Sequence, residues 1–342
     1  MPRFAILAIG SFDYLLNKTG NMLIRYRPKE VVAVIDPEKS GKTADEIIGI
    51  GGSLPVVASF QDAEKYQPDT LVIGSAPPGG VIDDQTRKEL LAAIDAGCHI
   101  ISGMHVFLSD DDELQDRAMQ KNISITDLRR PPSPPHFPKG TWQDRKVPVL
   151  LVVGTDCDSG KMTTAWEITQ RLRSHGKKVK FIGTGQTGIL LGGSGVAVDA
   201  VVADFMAGEM EYLIDKACDG ADLVVVEGQG SINNYAYSGV TMGLLHGCMP
   251  EFLIMSHDPI RHMDVLDCPL PDIKDLIQIH LDLMKPFRDA RFLGMNLLTF
   301  TLSEQDAVDT IKEYERKYNL PATDLVRFGD RELINAIATV LR

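Results

Sequence analysis

The sequence predicts an α/β protein made of two parallel-sheet domains, and three observations predict it. Strand-like apolar runs alternate with helix-like segments along most of the 342 residues, the pattern of parallel sheets covered by helices on both faces. Five prolines within residues 131–138 interrupt that alternation. Beyond them a buried-strand run, Val149 to Val153, opens into a glycine-bounded loop ending in Gly160-Lys161. That is the layout of a phosphate cradle.

In the first domain, residues 1–128, positions 4–9 read as a strand rather than a secretion signal. Residues 21–26 belong to a helix, and 31–35 form a second strand closing on Asp36. Strands follow at 55–57 and 71–74, then a helix at 85–96 stopped by Gly97. A strand at 99–102, a helix at 111–121 and a strand at 123–127 complete a Rossmann-like sheet. The G-x-G-x-x-G fingerprint is missing, since the first strand runs into Gly10-Ser11-Phe12-Asp13. Asp36 stands where a ribose-binding carboxylate would stand, but a loop or cap role explains it equally well. Turn chemistry accounts for Ala76-Pro77-Pro78-Gly79-Gly80.

Residues 129–147 read as an extended, semi-rigid connector, because prolines so dense exclude a helix interior and a central strand. The second domain, 148–342, starts with the phosphate-loop strand and a helix at 163–175 stopped by Gly176. A strand is expected at 179–182, and one helix over 198–217, where apolar residues recur at three-and-four spacing. Residues 223–226 form a strand leading into Glu227-Gly228-Gln229-Gly230-Ser231. Further strands are expected at 252–255, 292–298 and 325–327, with helices at 303–318 and 331–341.

Net charge is −12, which disfavours nucleic acid or an anionic membrane as partner. No apolar run approaches the roughly 20 residues that span a bilayer. The five cysteines are scattered without a C-x-x-C pair, so reduced thiols in a cytoplasm are expected, not a disulfide framework or zinc site.

Ligands of open parallel sheets collect at the carboxyl ends of strands. In the second domain those ends are 154–161, 184–187, 227–231, 256–258 and Asn296. The phosphate loop reads Gly154-Thr155-Asp156-Cys157-Asp158-Ser159-Gly160-Lys161-Met162-Thr163. It departs twice from G-x-x-x-x-G-K-[ST]: five residues separate the glycines, and Met162 stands where a hydroxyl usually holds Mg²⁺. Glu227 has three roles open to it: a Mg²⁺ ligand, a general base, or a partner orienting Lys161. Asp204 and Asp199 lie near a helix start, which favours aspartate with or without a metal. His257 ranks first among the histidines because it ends a strand. Cys157 is a loop filler or a nucleophile.

The loop and the Val226-Glu227-Gly228-Gln229-Gly230 segment resemble those of dethiobiotin synthetase. The resemblance implies a dethiobiotin-synthetase-like P-loop domain that binds ATP, with Mg²⁺ on Glu227 and a second acid such as Asp204. It also implies an adenine-reading role for Asn296. Met162 departs from that family's metal-binding threonine.

A resemblance spanning nearly the whole chain rests on Gly-Thr-Asp-Cys-x-x-Gly-Lys-Met-Thr-Thr, Val-Asp-Ala-Val-Val-Ala-Asp-Phe, Glu-Gly-Gln-Gly-Ser and Gly-Leu-Leu-His-Gly. This order is similar to the D-glutamate N-acetyltransferase family, with Met162 part of the pattern. It implies acetyl transfer from acetyl-CoA to the amine of D-glutamate or a related amino acid. Lys161 and the loop amides would then grip CoA phosphates without Mg²⁺. Glu227 or His257 would act as base, and loop amides or Ser231 would face the oxyanion. Gln229, Asn233, Asn234 and Arg261 would hold substrate carboxylates. The alternative is an ATP- and Mg²⁺-dependent ligase or kinase. Either way the expected partner is a small-molecule amino-acid substrate, and a homo-oligomer is expected.

Overall fold

A computed structural model describes residues 1–75 and 82–341; the turn expected at 76–80 lies outside them. The chain separates into two compact units, Met1–Arg130 and Pro131–Arg342.

The first unit carries β1 (Phe4–Leu7), β2 (Val31–Ile35), β3 (Val56–Val57), β4 (Thr70–Ile73), β5 (His99–Ser102) and β6 (Ile125–Asp127). Their order is β3-β2-β1-β4-β5-β6, and every pairing is parallel. This is the doubly wound Rossmann-type arrangement. Asp36 serves its own loop: its carboxylate accepts from the backbone N–H groups of Gly10, Phe12 and Glu38.

The second unit carries β7 (Val149–Gly154), β8 (Val179–Ile182), β9 (Leu223–Val226), β10 (Phe252–His257), β11 (Arg291–Leu297) and β12 (Ala322–Thr323). The parallel order is β12-β11-β10-β7-β9-β8. β7 lies between β9 and β10, so both of its edges are hydrogen-bonded and it is a central strand. Val149 through Val153 are at most 2% exposed, and each such side chain contributes about 1.5–3 kcal/mol on burial. The strand order reverses at β7, which puts the loop after it in the crevice where α/β sheets bind ligands.

The helix after that loop runs Lys161–Ser174, with His175 as its C-cap and Gly176 beyond it at φ +79°. The proline segment is held against the helix Ala203–Ala217. Glu209 accepts from the His136 N–H at 2.7 Å, and Glu211 from those of Lys139 and Gly140 at 2.7 and 2.8 Å.

Three expectations are corrected. The helix expected over 198–217 is broken: a single 3-10 turn spans Val198–Ala200, and the α-helix begins at Ala203. The Val198 N–H bonds to Thr184, and Val201 and Val202 stay extended, as β-branched neighbours favour. The strand expected at 325–327 is the helix Leu325–Phe328, because Asp324 caps it by accepting from the N–H groups of Val326 and Arg327. Helices Ser238–Cys248 and Ile273–Met284 were not expected. The first is rich in glycine, a poor helix former. Its Gly243 and Gly247 let it approach Ala203–Ala217 closely, since a Cβ at either would fall within 3 Å of Met206 or Met210.

No helix among the described residues is long and apolar enough to cross a membrane.

Candidate functional site

The loop after β7 is closed by its own side chains. Ser159 donates to the Asp156 carbonyl at 2.9 Å, the Thr155 N–H reaches Ser256 across to β10, and Ser256 donates to the Ser159 carbonyl at 2.5 Å. Asp158 sits at the exposed apex with φ +56°. Lys161 is buried and donates from Nζ to the Asp156 carbonyl at 2.6 Å. Burial pushes its pKa down, while the charges of Cys157, Asp158, Asp156 and Glu227 oppose that shift. No side chain caps the start of its helix, so the first-turn amides point their positive end at the loop. Met162 and Thr163 are half-buried on that first turn.

Glu227, at the end of β9, is 4% exposed. Its Oε2 accepts from the N–H groups of Thr184 at 2.8 Å and Gly185 at 3.3 Å, at the end of β8. Oε1 has no hydrogen-bond partner among the described residues and is not sealed from solvent. Burial raises the carboxyl pKa to about 7, against the two amides and Lys161, which lower it. A proton can therefore be taken up and released at Oε1 near neutral pH. A Cβ on Gly188 would sit 2.0 Å from Oε2, so any larger residue there displaces the carboxylate.

His257, at the end of β10, is 6% exposed. Its Nδ1 lies 3.0 Å from the Thr155 hydroxyl and its Nε2 3.0 Å from the Tyr314 hydroxyl. Burial, reinforced by Arg261, His262 and Lys317, lowers its pKa to about 4. The imidazole is thus a neutral bridge between the loop and the helix Glu304–Tyr318.

Ser231 donates to the Gly154 carbonyl at 2.9 Å and contacts Asn233 Oδ1. Its hydroxyl clips the segment after β9 to the end of β7. Asn296 is turned inward: Nδ2 donates to the Thr164 hydroxyl at 2.9 Å, and Oδ1 accepts from the Leu325 N–H at 2.9 Å. Both amide atoms expected to read an adenine are already engaged.

Asp156 is fully buried. Its Oδ1 accepts from Asn234 Nδ2 at 3.2 Å; its Oδ2 accepts from Arg261 Nη1 at 3.2 Å and from the Val265 N–H at 2.8 Å. Arg261 Nη1 also donates to the Cys157 carbonyl at 2.7 Å. Asn234 Nδ2 reaches Asp264 Oδ2 at 3.2 Å as well. Asn234 and Arg261 are thus joined to the phosphate loop, while Gln229 stands beside Gly185.

Of the two acids expected to hold Mg²⁺, Glu227 is buried and Asp204 is exposed in the first turn of its helix. The acid whose charge reaches Glu227 is Asp199. Among the described residues no group of three or more His, Cys, Asp or Glu side chains could hold a metal ion. Sequence reasoning missed Tyr314 and Asp264. One lies mid-helix and the other in an aperiodic loop, and neither position carries a signal of its own.

Two family models match the chain. A P-loop domain, the C-terminal domain of unknown function DUF1611, covers residues 136–334. Its Rossmann-like N-terminal companion covers 37–131. The chain is 39% identical over 297 residues to a D-glutamate N-acetyltransferase from Tritonibacter scottomollicae, covering 85% of this chain and 88% of that one. A protein of the same name from Pseudoalteromonas is 35% identical over 274 residues, covering 79% and 82%. The crystal structure of a DUF1611 family protein from Anabaena variabilis superposes with a TM-score of 0.94 at 34% identity, covering 99% of this chain and all of that one.

Proposed function

The chain belongs to the DUF1611 family, and from that membership and the geometry around Glu227 we propose that it transfers the acetyl group of acetyl-CoA to the α-amine of D-glutamate. The relatives' name supports an N-acetyltransferase. The phosphate loop supports a donor that carries a pyrophosphate. Loop amides and Lys161 hold that pyrophosphate by charge-assisted hydrogen bonds, and this grip does not call on a hydroxyl at Met162.

Glu227 is the base. Its free Oε1 takes a proton from the substrate ammonium, and the neutral amine then attacks the thioester carbonyl carbon. The C–N bond forms and the C–S bond breaks. The departing sulfur takes up the second amine proton, and Glu227 releases the first to solvent. His257 is the weaker candidate, because an imidazole with a pKa near 4 is mostly unable to hold the proton it would need to remove.

The observation that carries this reading is a carboxyl near pKa 7 with one oxygen fixed by two amides and the other open, beside Lys161. The test is thiol release from acetyl-CoA with D- and L-glutamate, run in parallel with ATP–Mg²⁺. D-glutamate-dependent CoA release is the expected result. ADP release with a carboxylate substrate would overturn the reading in favour of a ligase or kinase.

A further inference from the structure

The buried carboxylate of Asp156 is an unusual occupant of a loop meant for anions. An acid there repels a phosphate unless its charge is spent elsewhere, and here it is spent on two other loops. Arg261 and the Val265 N–H come from the segment after β10, and Asn234 comes from the segment after β9. Asp264 completes the tie by accepting from Asn234 and from the N–H groups of Leu266 and Cys268. The guanidinium is oriented twice through Nη1, by Asp156 and by the Cys157 carbonyl. Its Nε lies 4.0 Å from Asp258 Oδ2, its Nη2 group has no hydrogen-bond partner among the described residues, and the side chain is 26% exposed.

We propose that Arg261 is a specificity residue that binds the side-chain carboxylate of the acceptor amino acid through Nη2, and that Asp156 is the positioning residue that sets it there. The inference rests on the acetyl-transfer reading and deepens it. A guanidinium whose Nη1 is held at two points and whose Nε faces Asp258 presents its Nη2 N–H groups in a fixed direction. A carboxylate gains charge-assisted bonds from such a group, whereas the isosteric amide offers a weaker acceptor and an N–H that clashes with the donors. The site therefore discriminates glutamate from glutamine, and it does so through a residue outside the phosphate grip.

The test compares D-glutamate with D-glutamine as acceptors for the wild type, Arg261→Gln and Asp156→Asn. The wild type is expected to favour glutamate in kcat/KM. Arg261→Gln lowers that ratio at least tenfold, mainly through KM for glutamate, while glutamine turnover persists. Asp156→Asn lowers the same ratio although Arg261 is still present, which a purely structural defect acting equally on both acceptors would not do. An unchanged ratio in Arg261→Gln overturns the specificity role; an unchanged ratio in Asp156→Asn alone overturns the positioning role. Glutarate, a dicarboxylate without an amine, serves as a binding probe by thermal shift and separates this inference from the acetyl-transfer reading. A glutarate shift lost in Arg261→Gln supports the subsite even if no acetyl transfer is found. A shift that Arg261→Gln retains, or no shift in the wild type, overturns it.

Discussion

Glu227 Oε2 lies 2.8 Å from the backbone nitrogen of Thr184, and this bond joins the acid at the end of β9 to the loop after β8. The Thr184 hydroxyl returns the contact by donating to the Glu227 carbonyl at 2.9 Å. The carboxylate is therefore held through Oε2 by the backbone of that loop, and the charge of Lys161 bears on it.

Replacing Glu227 by Gln keeps the shape and removes the base. kcat is expected to fall by about 10²–10⁴-fold with CoA affinity within a few-fold of wild type, as read by steady-state kinetics and calorimetry. Undiminished turnover would remove Glu227 from the chemistry.

The pH dependence follows from the same group. A base must be ionised, so kcat/KM should rise with pH through a midpoint near 7. Stability should run the other way. The folded carboxyl keeps its proton up to about 7, whereas the unfolded one loses it near 4.5. Stability is thus lost as pH rises across that window, by roughly 3 kcal/mol at most. Glu227→Gln should lack this slope in denaturant melts taken from pH 4.5 to 7.5.

His257 predicts the opposite slope. Its folded pKa near 4 lies below the ordinary 6.5, so the unfolded chain binds the extra proton, and stability is lost as pH falls from 6.5 to 4. His257→Gln should flatten the acid limb of the melting curve and cost less than about tenfold in kcat, since a bridge and not a base is removed. A loss above about 10²-fold, with the midpoint near 7 abolished, would move the base to His257.

Lys161→Ala should leave the chain folded, because it removes a charge that burial already disfavours. CoA binding should weaken by about 10–150-fold, the worth of one charge-assisted contact of about 1.5–3 kcal/mol. Thermal shift by CoA reads this directly, and an undiminished shift would place the donor elsewhere.

Gly188→Ala puts a methyl group where the Glu227 carboxylate stands, 2.0 Å from Oε2. The acid has to move, so kcat is expected to drop at least tenfold although no group of the chemistry is altered. Wild-type kcat in this variant would show that the carboxylate's exact seat is immaterial.

The β7 strand, its glycine loop and Lys161 were legible in the sequence because they are contiguous: one apolar run, two glycines and one cation state their geometry within a dozen residues. The position of Glu227 at a strand end was legible for the same reason. The helix Ser238–Cys248 was not, since it owes its place to glycines packed against Met206 and Met210 rather than to any period of its own. Ile273–Met284 does carry a signal, Asp272 as its cap and Ile273, Leu276, His280 and Met284 on one buried face.

The sequence by itself determined two parallel-sheet units, the phosphate cradle and the family resemblance, all of which rest on local order along the chain. Only the tertiary structure decided what each polar group does. Asn296 and Ser231 turned out to be engaged inward, His257 to be a neutral bridge, and Arg261 to be held by Asp156 from 105 residues away. The reason is physical: a side chain's role depends on which partners its hydrogen bonds find and how much water surrounds them. Those partners come from strands that are neighbours in the sheet but distant in the chain.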